Sequence, residues 1–268
     1  MSGPHLGKTA KRMLTGKTPF FACTDDPRFS FGLYVPKTHS FDGPRLPLLV
    51  VVHGTRRQTG GYLTHLQTFS EQHGVVILLP LFPAGIIDPF DVHNYKNILY
   101  HDIRFDLVLL SMLQQAARTW RIDAERFFLH GFSGGAQFAH RFLYLHPGRL
   151  RGVSVGAPGS ITHPTTDSAW PAGLGNTKDG LGVVPDFAEM GRVPIQLLVG
   201  EKDTDTSMIS RDELAGTTRV ERVRYLHKVL AKHGVSSDLT IVSGVAHEGM
   251  KCVSAVEAWL KTLLESVQ

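Results

Sequence analysis

Only two cysteines, Cys23 and Cys252, occur in 268 residues. They lie far apart and in no metal-ligand spacing, which argues against a disulfide framework and fits a reducing compartment. Long hydrophobic runs are also missing. No stretch reaches the roughly 18 consecutive apolar residues of a membrane-spanning helix. The basic N-terminus, MSGPHLGKTAKRML, lacks the apolar core of about 7 to 15 residues that a secretory signal needs, so a cytoplasmic location is expected. Charge comes in no blocks. Lys and Arg total 28 against 24 Asp and Glu, and they are spread along the chain without a nucleic-acid signature. Neither nucleic acid nor membrane is therefore expected as a partner. Repeats, low-complexity tracts and Gly/Ser linkers are absent too, so residues 1–268 read as one domain.

What is present is an alternation of apolar runs with helical patterns. Residues 29–35, 46–54, 75–81, 126–131, 150–157, 194–200 and 238–244 read as strands, and LPLLVVVHG at 46–54 has the unbroken character of a strand buried on both faces. Helical spacing occupies 102–120, 134–146 and 217–233, and recurs at Val253, Val256, Leu260 and Leu263. Strand, helix, strand in succession predicts an α/β fold, a mostly parallel sheet with helices on both faces and sites at the C-terminal ends of its strands.

One turn in this pattern carries chemistry. RFFLHGFSGGAQFAHRF, from 126 to 142, places Gly131-Phe132-Ser133-Gly134-Gly135 between a strand and a helix, the G-x-S-x-G pattern of a nucleophile elbow. Glycine recurs there because a sharp turn brings backbones close together. The first N–H groups of the helix then favour an oxyanion beside Ser133. A serine nucleophile needs a base, and the base needs an orienting carboxylate. Asp203 follows the strand at 194–200, and His247 follows the last strand, giving the order Ser, acid, His. Asp205 is the alternative acid; Asp203 is nearer the strand end, where backbone geometry is better fixed.

The loop HGTRRQ after the second strand supplies the second oxyanion donor, the backbone N–H of Thr55 or of Arg56, beside that of Gly134; Thr55 is the first choice. His53 is read as ordering this loop. Arg56 and Arg57 are candidates for holding an anionic substrate group at the mouth of the site. Residues 158–193, with Trp170, form a connection far longer than usual and are expected to cap the site. Tyr95 and Asn97, in the loop at 84–100, are further candidates for substrate contact, as Trp170 is from the cap. A metal site from His93, His101, Asp102 and Asp106 is a competing reading of that region, although its spacing matches no ligand motif.

HGTRRQ at 53–58, IDAERFFLHGFSGGAQFAHRF at 122–142, PAGLGNT at 171–177, LLVGEKDTD at 197–205 and GVAHEGM at 244–250 resemble the α/β-hydrolase esterases grouped with polyhydroxybutyrate depolymerases. The likeness spans residues near 46–264. It implies the α/β-hydrolase fold with a loop-rich cap, Ser133 as nucleophile, Asp203 as acid, His247 as base, and no cofactor or metal. Unlike the secreted depolymerases, the chain lacks their signal peptide, disulfides and separate polymer-binding module, so a small soluble ester or activated acyl compound is the expected substrate. An amidase, a peptidase, an acyltransferase or a non-catalytic binding protein would share much of this pattern. The oligomeric state stays open.

Overall fold

A computed structural model describes residues 7–265. The seven apolar runs form seven strands: β1 Ser30–Val35, β2 Leu48–Val52, β3 Val76–Leu81, β4 Phe127–Phe132, β5 Leu150–Gly156, β6 Ile195–Gly200 and β7 Asp238–Val242. Their order in space is β1-β3-β2-β4-β5-β6-β7. β1 runs antiparallel to β3, and the other neighbouring pairs are parallel. Two short strands, Gly16–Lys17 and Phe21–Ala22, pair antiparallel with β1 and complete nine. All five residues of β2 and all six of β4 are buried, as strands covered on both faces must be.

Five main helices cover the sheet: α1 Thr59–His73, α2 Phe105–Thr119, α3 Gly134–Leu145, α4 Arg219–Lys232 and α5 Gly249–Glu265. α2 starts later than its apolar pattern because Ile103–Arg104 pairs with Leu99–Tyr100 in a small hairpin. α1 turns Tyr62, Leu63, Leu66 and Phe69 inward and packs against α5. Because β2, β4, β6 and β7 are parallel, the segments that follow them, starting at His53, Ser133, Glu201 and Ser243, all leave the same edge of the sheet.

Residues 158–193 lie between β5 and β6 and include short helices at Thr177–Leu181 and Phe187–Met190. The segment adds Ile161, Leu174, Leu181 and Met190 to the same hydrophobic cluster that the sheet builds. It is tied to α3: Thr162 N–H donates to His140 Nε2 (3.0 Å), and Tyr144 donates its hydroxyl to the Thr162 carbonyl (3.1 Å).

Four histidines are buried among the described residues, and His53, His130 and His140 lie deeper than His39. Burial disfavours the imidazolium, holding His53 and His130 down to about 4 from the ordinary 6.5 and His140 well below 6.5. His53 and His140 also use Nε2 to accept a backbone N–H, from Phe82 and Thr162, so protonation there breaks a bond as well as burying charge. The unfolded chain takes up these protons as pH falls below 6.5, whereas the folded chain resists until about 4. Stability is therefore complete above pH 6.5 and falls through that window, by an order of a few kcal/mol per histidine. Thermal melts at pH 7, 6 and 5 are expected to show a steadily falling midpoint; a flat midpoint would contradict this account.

Candidate active site

The sharp turn is built from close backbone contacts. Ser133 has φ 57° and ψ −115° and precedes α3, with its N–H bonded to the Gly156 carbonyl (2.8 Å). A Cβ on Gly131 would lie 2.2 Å from the Gly135 carbonyl oxygen, and one on Gly135 would lie 2.2 Å from the Val52 oxygen. β4, α3 and the end of β2 therefore interlock through glycine, and only a side chain absent at both positions lets the strand turn into the helix so abruptly. The strained φ of Ser133 persists because this packing over-determines it.

Ser133 Oγ lies 2.9 Å from His247 Nε2, and His247 Nδ1 lies 2.6 Å from Asp203 Oδ2. The structure thus brings the three residues into one hydrogen-bonded chain across 114 positions of sequence. Asp203 is 1% exposed, whereas Asp205 is exposed and accepts the Ser207 N–H. Asp203, not Asp205, meets the imidazole. Arg219, the first residue of α4, donates to Asp203 Oδ1 (3.2 Å) and to the Asp205 carbonyl (3.1 Å), leaving Oδ2 to His247. The sequence reading did not single out Arg219. The Phe132 ring packs on the imidazole at 5.0 Å between centroids.

The loop after β2 lies beside this chain. A Cβ on Gly54 would be 3.5 Å from the Phe132 carbonyl oxygen and 3.9 Å from Ser133 Cβ, and one on Gly134 would be 3.0 Å from Thr55 Oγ1. Thr55 and Gly134 are thus neighbours, and the N–H groups opening α3 have no acceptor within the helix. His53 is fully buried; its Nδ1 pairs with the Gly54 carbonyl and its Nε2 accepts from Phe82, which holds the loop.

The two arginines of this loop part company. Arg56 is exposed. Arg57, also with positive φ (55°), donates to the carbonyls of Phe82 (3.0 Å), Thr55 (2.6 Å) and Val92 (2.6 Å) and to Asn94 Oδ1 (2.9 Å). With its guanidinium so engaged, Arg57 is a strut of the loop and not a binder of substrate anions. Tyr95 is corrected likewise: it is fully buried among Phe82, Phe105 and His53, and its hydroxyl donates to the His53 carbonyl (2.8 Å). It braces the floor of the site. Trp170 is partly buried, and its Nε1 donates to the Asn97 carbonyl (2.7 Å), joining the 158–193 segment to the 84–100 loop.

Lys96, which the sequence reading passed over, lies beside the elbow with the Tyr95 hydroxyl and Thr55. Its Cε would be 2.9 Å from a Cβ on Gly134. The residues of the competing metal reading do not converge. His93 bonds Lys96 through Nδ1 (2.6 Å), and Asp106 is paired with Arg104 (2.6 Å) and His146 (2.7 Å). Among the described residues no group of three His, Cys, Asp or Glu side chains is placed to hold a metal ion.

No protein-family model matches the chain, and no curated protein does. Solved structures do. The poly(3-hydroxybutyrate) depolymerase LpqC from Bordetella parapertussis is 24% identical over 87% of this chain and 84% of its own, with a TM-score of 0.70. Poly(aspartic acid) hydrolase-1 from Sphingomonas sp. KT-1 is 20% identical over 91% of this chain and 98% of its own, at 0.77. An S-formylglutathione hydrolase from Agrobacterium tumefaciens is 17% identical over 88% and 89%, at 0.59. At such identities the likeness establishes architecture, and function has to come from the site. The chain has the α/β-hydrolase fold and is similar to the depolymerase-like esterases that its motifs resemble.

Proposed function

We propose that this protein is a serine hydrolase that cleaves a carboxylic ester through an acyl-enzyme on Ser133. The observation that carries the reading is the chain Ser133 Oγ, His247, Asp203, at 2.9 and 2.6 Å, standing at the end of β4 where α3 opens. His247 Nε2 takes the Ser133 proton as Oγ attacks the ester carbonyl, and Asp203 stabilises the imidazolium and fixes its tautomer. The N–H groups of Gly134 and Thr55 receive the negative charge of the tetrahedral intermediate. His247 then protonates the departing alcohol, and in the second half reaction it activates water to release the acid. The neighbours' names, covering a polyester depolymerase, a poly(aspartic acid) hydrolase and a thioester hydrolase, support acyl hydrolysis in general and select no single substrate.

A small soluble ester is the substrate class proposed, with residues 158–193 covering the acyl pocket. Incubation with a fluorophosphonate probe followed by peptide mass spectrometry is expected to find the adduct on Ser133, in a protein that also turns over short-chain p-nitrophenyl esters. No adduct and no turnover would remove the reading in favour of a binding protein.

A further inference from the structure

On this side of the site two cations are buried with no carboxylate at ion-pair distance among the described residues, Asp91 acting on Lys96 only from further away. Lys96 is 6% exposed and Arg141 is 2% exposed. The Lys96 ammonium meets the imidazole Nδ1 of His93 (2.6 Å). Arg141 donates to Thr162 Oγ1, to the carbonyls of Lys96 and Gln137 and to Ser160 Oγ, all of them neutral. Burial penalises an ammonium that lacks a counter-charge. Burial first, then the positive charges of Arg57, Arg141 and Arg219, lower the Lys96 pKa to about 8, with Asp91 opposing them. The group still carries its proton at neutral pH.

The turn that presents this lysine, Asn94–Asn97, is gripped along its length. Arg57 holds Asn94 Oδ1, Asn94 Nδ2 donates to the Pro83 carbonyl, Tyr95 is bonded to the His53 carbonyl, Arg141 holds the Lys96 carbonyl and Trp170 the Asn97 carbonyl. The side chain so positioned runs past Gly134, a proposed oxyanion donor, to a histidine that is itself exposed. A cation is thereby fixed on a line from Gly134 to an exposed side chain.

We infer that Lys96 is a specificity-determining residue that pairs with a carboxylate on the acyl part of the substrate, a few atoms from the scissile carbonyl. The inference deepens the hydrolase reading and rests on it. The transient oxyanion already has two N–H donors, whereas a permanent carboxylate is matched by a single ammonium and takes over the place of His93 as its partner. A charge-assisted contact of this kind, desolvated on binding, is worth about a tenfold preference or more.

The test compares initial p-nitrophenolate release, above the enzyme-free rate, from mono-p-nitrophenyl glutarate and from its neutral methyl ester at pH 7. The wild type is expected to prefer the anion by about tenfold or more in kcat/KM, and Lys96→Met to bring the ratio toward one, chiefly through KM. Lys96→Gln replaces the methionine variant if that one does not fold. A wild-type ratio at or below one, or a ratio that the substitution leaves alone, overturns the inference. So does an equal loss on both esters, which would assign Lys96 to the oxyanion. Should Ser133 take no fluorophosphonate and no ester turn over, the hydrolase reading fails separately. Glutarate binding by calorimetry then judges the cation site: binding that the variant loses supports it, and equal or absent binding in both proteins overturns it.

Discussion

Ser133→Ala and His247→Ala are each expected to lower kcat on p-nitrophenyl butyrate by at least about a thousandfold, and the double variant to lose no more than the worse single one. The reason is mechanical. Without His247 Nε2 at 2.9 Å, the serine hydroxyl keeps its proton and is a poor nucleophile; without the hydroxyl, the imidazole has nothing to deprotonate. Each removal disables the same step, so the losses do not add. What survives is the contribution of the proposed oxyanion donors, the Thr55 and Gly134 N–H groups, which no side-chain substitution removes. Asp203→Asn should cost less than either, since it leaves Ser133 and the imidazole in place and disturbs the tautomer at Nδ1. Circular dichroism and thermal melts on the same preparations separate chemistry from folding. Retention of activity within tenfold in Ser133→Ala, or additive losses in the double variant, would sink the assignment.

Much of the fold was legible because a strand buried on both faces has a composition of its own. β2 is an unbroken apolar run and β4 is interrupted only by His130 and Gly131, and their bounds in the structure agree with the sequence reading to within a few residues. α1 was not, and its sequence explains why. It opens Thr-Gly-Gly, poor helix formers, and its apolar face of Tyr62, Leu63, Leu66 and Phe69 is interrupted by polar residues, so packing against α5 rather than propensity defines it. The strands at 16–17 and 21–22 are two residues each and leave no period to read.

The site divides in the same way. Ser133, Asp203 and His247 were findable because each follows a strand in a parallel sheet, and topology carries such positions to one edge. The residues around them were not, because their contacts join segments distant in sequence: Arg57 to Asn94, Trp170 to Asn97, Arg141 to Lys96. Arg57 reads like Arg56 until the structure shows that one is engaged at four acceptors and the other exposed. Arg219 did leave a trace. Thr218 and Glu221 form a capping box, which puts Arg219 at the first position of α4, where the helix dipole disfavours a cation. A cation there needs a carboxylate partner, and Asp203 is that partner.

Gly135→Ala is the substitution expected to damage the fold itself most. The added methyl would sit 2.2 Å from the Val52 carbonyl oxygen and 2.9 Å from that of His53, and both obstacles are backbone at the end of a fully buried strand. Neither can rotate away as a side chain would, so α3 or the end of β2 must move by about 1 Å, and overpacking of this kind costs about 3 kcal/mol or more. Against a total stability of about 5–15 kcal/mol, that lowers the melting midpoint by several degrees or yields insoluble protein. Whatever folds carries a second penalty. Gly135 packs on the Val52 and His53 carbonyls, where the loop bearing Thr55 begins, so the displacement separates Ser133 from the proposed oxyanion donor, and a misplacement of about 1 Å costs roughly a hundredfold in rate. Gly60 provides the contrast: it lies in α1 with nothing within 4 Å of the added methyl, and Gly60→Ala should hold or raise the midpoint by helix propensity alone. Differential scanning calorimetry and ester kinetics on the pair read both effects. A Gly135→Ala protein with wild-type midpoint and kcat would mean that the elbow yields, and that the strain at Ser133 is not held in place by the close passage of β4, α3 and β2.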